Sequence, residues 1–457
     1  MYKRQVGAVT LTSGSITVGT TGNTLTGTSY TLNPSSGTTH SIAAVLAGSG
    51  VALTSSSSGT ATVTLSGVNT YTGATTIGSG TTIKLGAAGV ISDSSAVTAN
   101  GTLDLNSYSE TIGSLAGSGT VTSSAAGTPT LTLGGDNTST TFSGAIQNGS
   151  GTVSIYKSGT GVFTLSGSNS YTGATTVPYG QIKLGAAQTN LTAYNISSGA
   201  FLDLGGYSAT VGSLAGAGSV TSTASGSITI TAGGDNTTTT FSGIIQDGSG
   251  TVAFTKAGTG TLTLSGTNTF SGGLTISNGT LKVGAVGNSL FTPLGSYAGT
   301  VSVSNGGTLD LNGYTLGTSQ ALTINGAGYG SAGALTNTSV TAVTYSGLIT
   351  LGSSSSIISS NGGITLSNTG TINGTGYTLT LGGTTTSGNT VASIIGLGTT
   401  GALTKASSGT WILSGSNTYT GTTTITLGTL TVSGALSDSS AVAVTGCLLY
   451  TSDAADE

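Results

Sequence analysis

Thr64-Leu-Ser-Gly-Val-Asn-Thr-Tyr-Thr-Gly73 returns as Thr164-Leu-Ser-Gly-Ser-Asn-Ser-Tyr-Thr-Gly173, as Thr263-Leu-Ser-Gly-Thr-Asn-Thr-Phe-Ser-Gly272 and as Ile412-Leu-Ser-Gly-Ser-Asn-Thr-Tyr-Thr-Gly421. The central asparagines Asn69, Asn169, Asn268 and Asn417 stand 100, 99 and 149 residues apart. Repetition at this fidelity makes an array of stacked supersecondary units the governing reading. A finer period lies beneath it. Leu65, Leu85 and Leu105 are 20 apart, and Leu165, Leu184 and Leu204 are 19 and 20 apart. Leu264 to Val283 and Leu413 to Val432 are each 19. Each ~100-residue unit therefore holds about five sub-repeats of ~20 residues, the length of one turn of a parallel β-helix.

Local patterning agrees. Cores such as Gly101-Thr-Leu-Asp-Leu105, Gly279-Thr-Leu-Lys-Val283, Gly307-Thr-Leu-Asp-Leu311 and Gly428-Thr-Leu-Thr-Val432 alternate with period two, which turns one face of a strand inward. The expected fold is an all-β, right-handed parallel β-helix (a β-solenoid) running as a single continuous body over residues 6–446. Its units fall near 57–156, 157–255, 256–404 and 405–446. Tandem β-sandwich modules are the alternative, since ~100 residues suits such a domain. A sandwich does not explain the ~20-residue period, and no linker or proline cluster separates the units. The 149-residue interval would be extra coils in a solenoid and a separate insertion in a sandwich chain.

Composition bounds the function. Of 457 residues only 4% are charged and 5% aromatic, with 80 Gly and 4 Pro, against about 25% charged in ordinary domains. Disordered chains pair low hydrophobicity with high net charge; here 35% of residues are hydrophobic and the net charge is −4. The longest apolar run, around Ile42-Ala-Ala-Val-Leu-Ala47, is far short of the ~20 residues of a spanning helix. The mild acidity gives no basic footprint for nucleic acid.

Two ends break the repeat grammar. Met1-Tyr-Lys-Arg-Gln5 carries the only Arg, and Cys447-Leu-Leu-Tyr-Thr-Ser-Asp-Ala-Ala-Asp-Glu457 carries the only Cys and 3 of the 12 acids. Both resemble translated transposon-adaptor sequence from library preparation, so residues 1–5 and 447–457 are expected to be scars on a fragment of a larger gene. On that reading Cys447 says nothing about redox compartment, and the lack of a leader or anchor says nothing about localisation.

Candidate chemistry is sparse. The body has nine acids and six lysines, nearly all at repeat positions. Lys84, Lys183 and Lys282 are equivalent, as are Lys157, Lys256 and Lys405. Asp104, Asp203 and Asp310 share a position, as do Asp136 and Asp235, and Asp93 and Asp438. Only Glu110 and Asp247 lack an obvious counterpart. An active site converges once, whereas these charges are copied along the chain, so they are expected on solvated faces and turns. No close carboxylate pair serves a glycosidase-type mechanism, and His40 is the sole histidine, expected in a turn or at the surface after Gly37-Thr-Thr39. No catalytic, cofactor-binding or metal-binding residue is assigned. Gly134-Gly-Asp-Asn137 does not match a calcium-binding β-roll repeat. The singled-out residues are structural repeat positions: Leu65, Asn69 and Tyr71; Leu165, Asn169 and Tyr171; Leu264, Asn268 and Phe270; Leu413, Asn417 and Tyr419. The aromatics are read as core plugs, with a carbohydrate-stacking stripe as the alternative. The asparagines are expected to bond the backbone of their own turns.

The run Gly-x-Gly-x-Leu-Thr-Leu-Ser-Gly-x-Asn-Thr-Tyr-Thr-Gly, followed by Thr-Thr-Ile and Gly-Thr-Leu-x-Leu/Val-Gly, resembles the autotransporter-associated β-strand repeat over residues 57–86, 157–186, 256–285 and 405–434. The resemblance implies the passenger region of a bacterial type V autotransporter: a secreted β-helical stalk or adhesin at the cell surface. It also implies a carboxy-terminal outer-membrane barrel in the full-length protein. The binding partner expected on that ground is a surface ligand such as a host glycan, a matrix protein or other cells. The competing functions are a polysaccharide-acting β-helix enzyme and a β-sandwich repeat surface protein.

Overall fold

The computed structural model describes residues 4–17, 23–317, 319–445 and 450–451. The adaptor-like ends therefore lie outside the described residues, Cys447 included, apart from 4–5 and 450–451. Contacts divide the chain into two compact units, Met1–Gly212 with Gly218–Ala224, and Ser213–Ala217 with Ser225–Glu457.

Each unit is a parallel β-solenoid. In the first, strands that follow one another in sequence lie in different sheets, and those that pair are one coil apart. One sheet stacks Ala8–Leu11, Ser29–Leu32, Leu53–Ser55, Thr75–Ile77, Ala96–Ala99 and Ser114–Ala116. Another stacks Thr39–Ile42, Ala61–Leu65, Thr81–Leu85, Thr102–Asp104, Thr120–Thr122 and Ala145–Ile146. The second unit repeats the scheme with Thr251–Lys256, Leu274–Ile276, Val301–Val303, Leu322–Gly326 and Ile349–Ser359, and with Thr261–Leu264, Gly279–Val283 and Gly307–Asp310. A sandwich is ruled out by this pairing, because its strands would run antiparallel. Among the described residues one antiparallel pair occurs, Phe291–Thr292 with Gly295–Ser296. The one helical segment described is a 3-10 turn at Tyr329–Ser331.

The ~20-residue period is the register itself. Leu85 pairs Leu65, Leu184 pairs Leu165, Val283 pairs Leu264 and Val432 pairs Leu413. Leu65, Leu85, Leu165, Leu184, Leu264, Val283 and Leu413 are all buried. Period-two alternation sends these residues inward, and each coil covers the apolar layer of the next. The outward positions stack as well. Thr39, Thr62, Thr82, Thr102 and Thr120 form one column in the first unit. Thr231, Thr255, Thr275, Ser302, Thr323 and Thr350 form one in the second. With strands ~4.8 Å apart, these columns are regular rows of hydroxyls on weakly charged faces.

Candidate functional site

The four motif copies build one kind of corner. Asn69, Asn169, Asn268 and Asn417 are buried there, none more than 8% exposed. Each Oδ1 accepts a backbone N–H from the preceding coil: Leu46 at 2.7 Å, Ile146 at 2.9 Å, Ile245 at 2.8 Å and Ile395 at 3.0 Å. Nδ2 donates onward, from Asn69 to the Val90 carbonyl, from Asn268 to that of Pro293 at 2.7 Å, and from Asn417 to that of Ala435 at 2.9 Å. Asn169 uses the Gln188 side chain instead, at 3.2 Å. Only Asn169 and Asn417 also bond their own turn, at Gly167 and Gly415. The expected own-turn bond is thus made by Asn169 and Asn417, while all four asparagines also bond neighbouring coils. The amide copies a peptide group and carries the ladder across a corner where the backbone turns away. The glycine two residues earlier is required there, because a Cβ on Gly67, Gly167, Gly266 or Gly415 would strike the carbonyl of Ala44, Gly144, Gly243 or Ser393.

The aromatic position is interior. Tyr71, Tyr171, Phe270 and Tyr419 are at most 1% exposed, so they offer no face to a sugar ring. Burial pushes the three phenols above their ordinary range, against threonine hydrogen bonds that lower them. Tyr71 bonds Thr75 at 2.6 Å, Tyr171 bonds Thr175 at 2.8 Å and Tyr419 bonds Thr423 at 2.6 Å. Each threonine meets a hydroxyl of the next coil: Ser95 at 2.8 Å, Thr192 at 3.3 Å and Ser440 at 3.4 Å. Those hydroxyls end the chain on the carbonyls of Gly73, Gly173 and Gly421. The third copy has Phe270, Leu274 and Gly299 at these three places, and the whole relay is gone together.

The charges are mostly not on solvated faces. Asp104, Asp203 and Asp310 are buried at 4%, 0% and 1% exposure. Each Oδ1 accepts one amide from its own turn and one from the next coil: Asn106 and Ser124, Gly205 and Thr223, Asn312 and Thr338, all within 2.8–3.1 Å. Lys84, Lys183 and Lys282, about one-third exposed, are their cross-strand partners, with ion pairs at 3.9, 3.6 and 3.6 Å. Burial alone would raise the Asp203 carboxyl. The Thr223 hydroxyl, the Thr223 and Gly205 amides and Lys183 outweigh it and hold the group below its usual range.

Lys157, Lys256 and Lys405 are equally buried, at 1%, 0% and 0%. Each Nζ crowns the glycine turn that follows it. Lys157 donates to the carbonyls of Ser158 and Gly159, Lys256 to those of Ala257, Gly258 and Asn278, and Lys405 to those of Ala406, Ser407 and Leu427. Burial pushes the Lys256 ammonium down to about 8 against the pull of Asp235, and lowers Lys157 against Asp136. Parity could have found these lysines, since Val153 and Ile155, Val252 and Phe254, and Leu403 are inward residues in alternation with them.

Glu110 and Asp247, the two acids without an obvious counterpart in the repeats, are each engaged by backbone amides. Glu110 is buried and accepts the amides of Val90 at 3.0 Å and Ile91 at 3.2 Å. Asp247 accepts Val252 N at 2.7 Å and the Ser271 hydroxyl at 2.6 Å. Its counterpart is Asn148, which accepts Val153 N at 3.0 Å and Thr172 N at 3.3 Å. His40 is 5% exposed, not at the surface, and bonds Thr38 Oγ1 at 2.8 Å and the Gly14 carbonyl. Among the described residues, no three His, Cys, Asp or Glu side chains gather to hold a metal ion. Two surface cavities border the first unit's coils. One of about 220 Å³ includes Thr39, Thr62 and Thr82, and one of about 380 Å³ includes Asn69, Ile91 and Asp93.

A family model described as Passenger-associated-transport-repeat matches residues 58–82, 155–178, 254–283 and 403–432. Comparison with curated proteins and with solved structures returned no match. Each match takes in one motif copy together with strand sequence before it and the strand that follows it.

Proposed function

From a chain that carries four passenger-associated-transport-repeats, we propose an extracellular, non-catalytic segment of a bacterial autotransporter passenger, serving as stalk or adhesin. It is displayed at the cell surface and, in the full-length protein, anchored by that protein's own outer-membrane barrel. The observation that carries this reading is the use made of the repeated residues. Asparagine, tyrosine, aspartate and the buried lysines Lys256 and Lys405 tie one coil to the next, and rows of threonine hydroxyls stand on the outward faces. A surface ligand (host glycan, matrix protein or other cells) would meet those faces, and the net charge of −4 offers nucleic acid nothing. The engagement of Glu110 and Asp247 by backbone amides also favours a scaffold over a polysaccharide-acting enzyme, which needs a free carboxylate pair or acid–metal cluster in a groove.

The test places the chain between a secretion leader and an outer-membrane barrel in a Gram-negative host. The expected result is a chain that antibody labels and added protease removes on intact cells. Retention in a protease-shielded compartment would contradict surface display. Depolymerisation of any member of a polysaccharide panel by the purified chain would contradict the non-catalytic half.

A further inference from the structure

Glu110 stands where the repeats elsewhere are apolar. Six residues beyond the equivalent aspartates Asp104, Asp203 and Asp310 come Glu110, Ala209 and Leu316, all three buried. The Glu110 carboxylate takes two successive amides of the preceding coil, Val90 N and Ile91 N, and is itself 2% exposed. The ionisable groups facing it are the Tyr71 phenol and the Asp93 carboxylate, and neither supplies positive charge. The nearest repeat lysine in sequence, Lys84, is paired with Asp104. The segment these amides belong to contributes Ile91, Ser92, Asp93 and Ser94 to the wall of the 380 Å³ surface cavity.

A buried carboxylate with amide donors but no cation is held between two tendencies. Burial favours the neutral acid, while N–H donors favour the anion. Here burial is the larger, with Asp93 adding to it, and Glu110 is pushed up to about 7. We propose that Glu110 is a pH-operated latch on the 90–94 corner: mild acid protonates it and tightens the cavity wall, and neutral to alkaline pH ionises it and loosens the wall. The direction follows from proton linkage. When the corner opens, Glu110 returns to its ordinary carboxylate range and releases its proton, so the closed form binds more protons between about 4.5 and 7 and closure weakens as pH rises through that window.

Hydrogen exchange by mass spectrometry on the full chain, corrected for intrinsic exchange, reads the latch in peptides covering residues 86–95. The opening constant of that segment is expected to rise on the order of tenfold to a hundredfold between pH 5 and pH 8. Peptides covering the equivalent corner near Gln188 should stay flat. Glu110→Gln should abolish the rise, and Asp93→Asn should move its midpoint to lower pH. Protection at 86–95 independent of pH in the wild-type chain, or a rise that survives Glu110→Gln, overturns the proposal. If Glu110→Gln does not fold, an unmoved midpoint in Asp93→Asn overturns it equally.

Discussion

The first and third motif copies occupy the same kind of corner and fill its interior in opposite ways. In the first, Tyr71, Thr75 and Ser95 pass hydroxyl to hydroxyl down to the Gly73 carbonyl. In the third, Phe270, Leu274 and Gly299 stand in those places without a hydroxyl among them. Asn69 and Asn268 do not change, and both keep an amide of the coil before and a carbonyl of the coil after. The difference separates two jobs. The aromatic fills volume, and its polar handle is optional provided every partner leaves with it, because a half-satisfied buried network is worse than none. The asparagine substitutes for backbone groups, which no apolar side chain can satisfy.

The largest effect expected is therefore the one shared by both copies. Asn69→Ala and Asn268→Leu should each lower local stability by about 2–6 kcal/mol, since an amide and a carbonyl are orphaned at ~1–3 kcal/mol apiece. Hydrogen exchange of the flanking strands measures it, and tolerance at Asn268 alone would break the comparison. Lys256→Met comes next, at about 2–4 kcal/mol, because the Ala257, Gly258 and Asn278 carbonyls lose their common donor. Lys256 also carries a pH signature. Unfolded, it keeps its proton to about 10.5, while folded it gives it up near 8. The unfolded state thus binds more protons in that window, and stability should climb as pH rises through it. In Lys256→Met that climb should be smaller in pH titrations of unfolding, with Lys157, also lowered by burial, supplying what remains.

Third in size is the relay. Thr75→Val alone strands the Tyr71 hydroxyl, leaves Ser95 only its bond to the Gly73 carbonyl, and should cost about 1–3 kcal/mol. Tyr71→Phe with Thr75→Leu and Ser95→Gly should recover most of that loss, giving a coupling energy in a mutant cycle. Phe270→Tyr alone should destabilise, because Leu274 and Gly299 offer no partner. Additive costs across the triple variant would show that the relay is not a unit. The smallest effect is expected at Lys84→Ala, within ~1 kcal/mol, since its ion pair is partly exposed and Asp104 retains two backbone amides.

Much of the fold was legible because a solenoid writes its register into the sequence. The 19- and 20-residue spacing from Leu65 to Leu85, Leu165 to Leu184 and Leu264 to Val283 is the observed pairing. The partners of side chains at the corners were not legible. Asn69 reaches Leu46 and Val90, 23 and 21 residues away, and local turn chemistry gives no hint of such reach. The charged residues misled for a different reason. Composition assigns lysine to water, yet alternation places Lys157, Lys256 and Lys405 inward, where turn carbonyls receive the ammonium. Asp104 looked exposed by parity and is buried because the following turn and the next coil close over it. Asp247 looked unique only because its counterpart, Asn148, does the same work without the charge.

The scaffold account stands or falls on whether the motif asparagine joins coils. Residue-resolved hydrogen exchange on Asn169→Ala addresses this most directly. Protection should fall at Ile146, whose amide loses its Oδ1 acceptor, and in the strands 162–165 and 181–184 beside the corner, while distant coils of the same unit keep theirs. Unchanged protection at Ile146 would contradict the account, and would mean that the four-fold repeat of this asparagine serves something other than the stacking of coils.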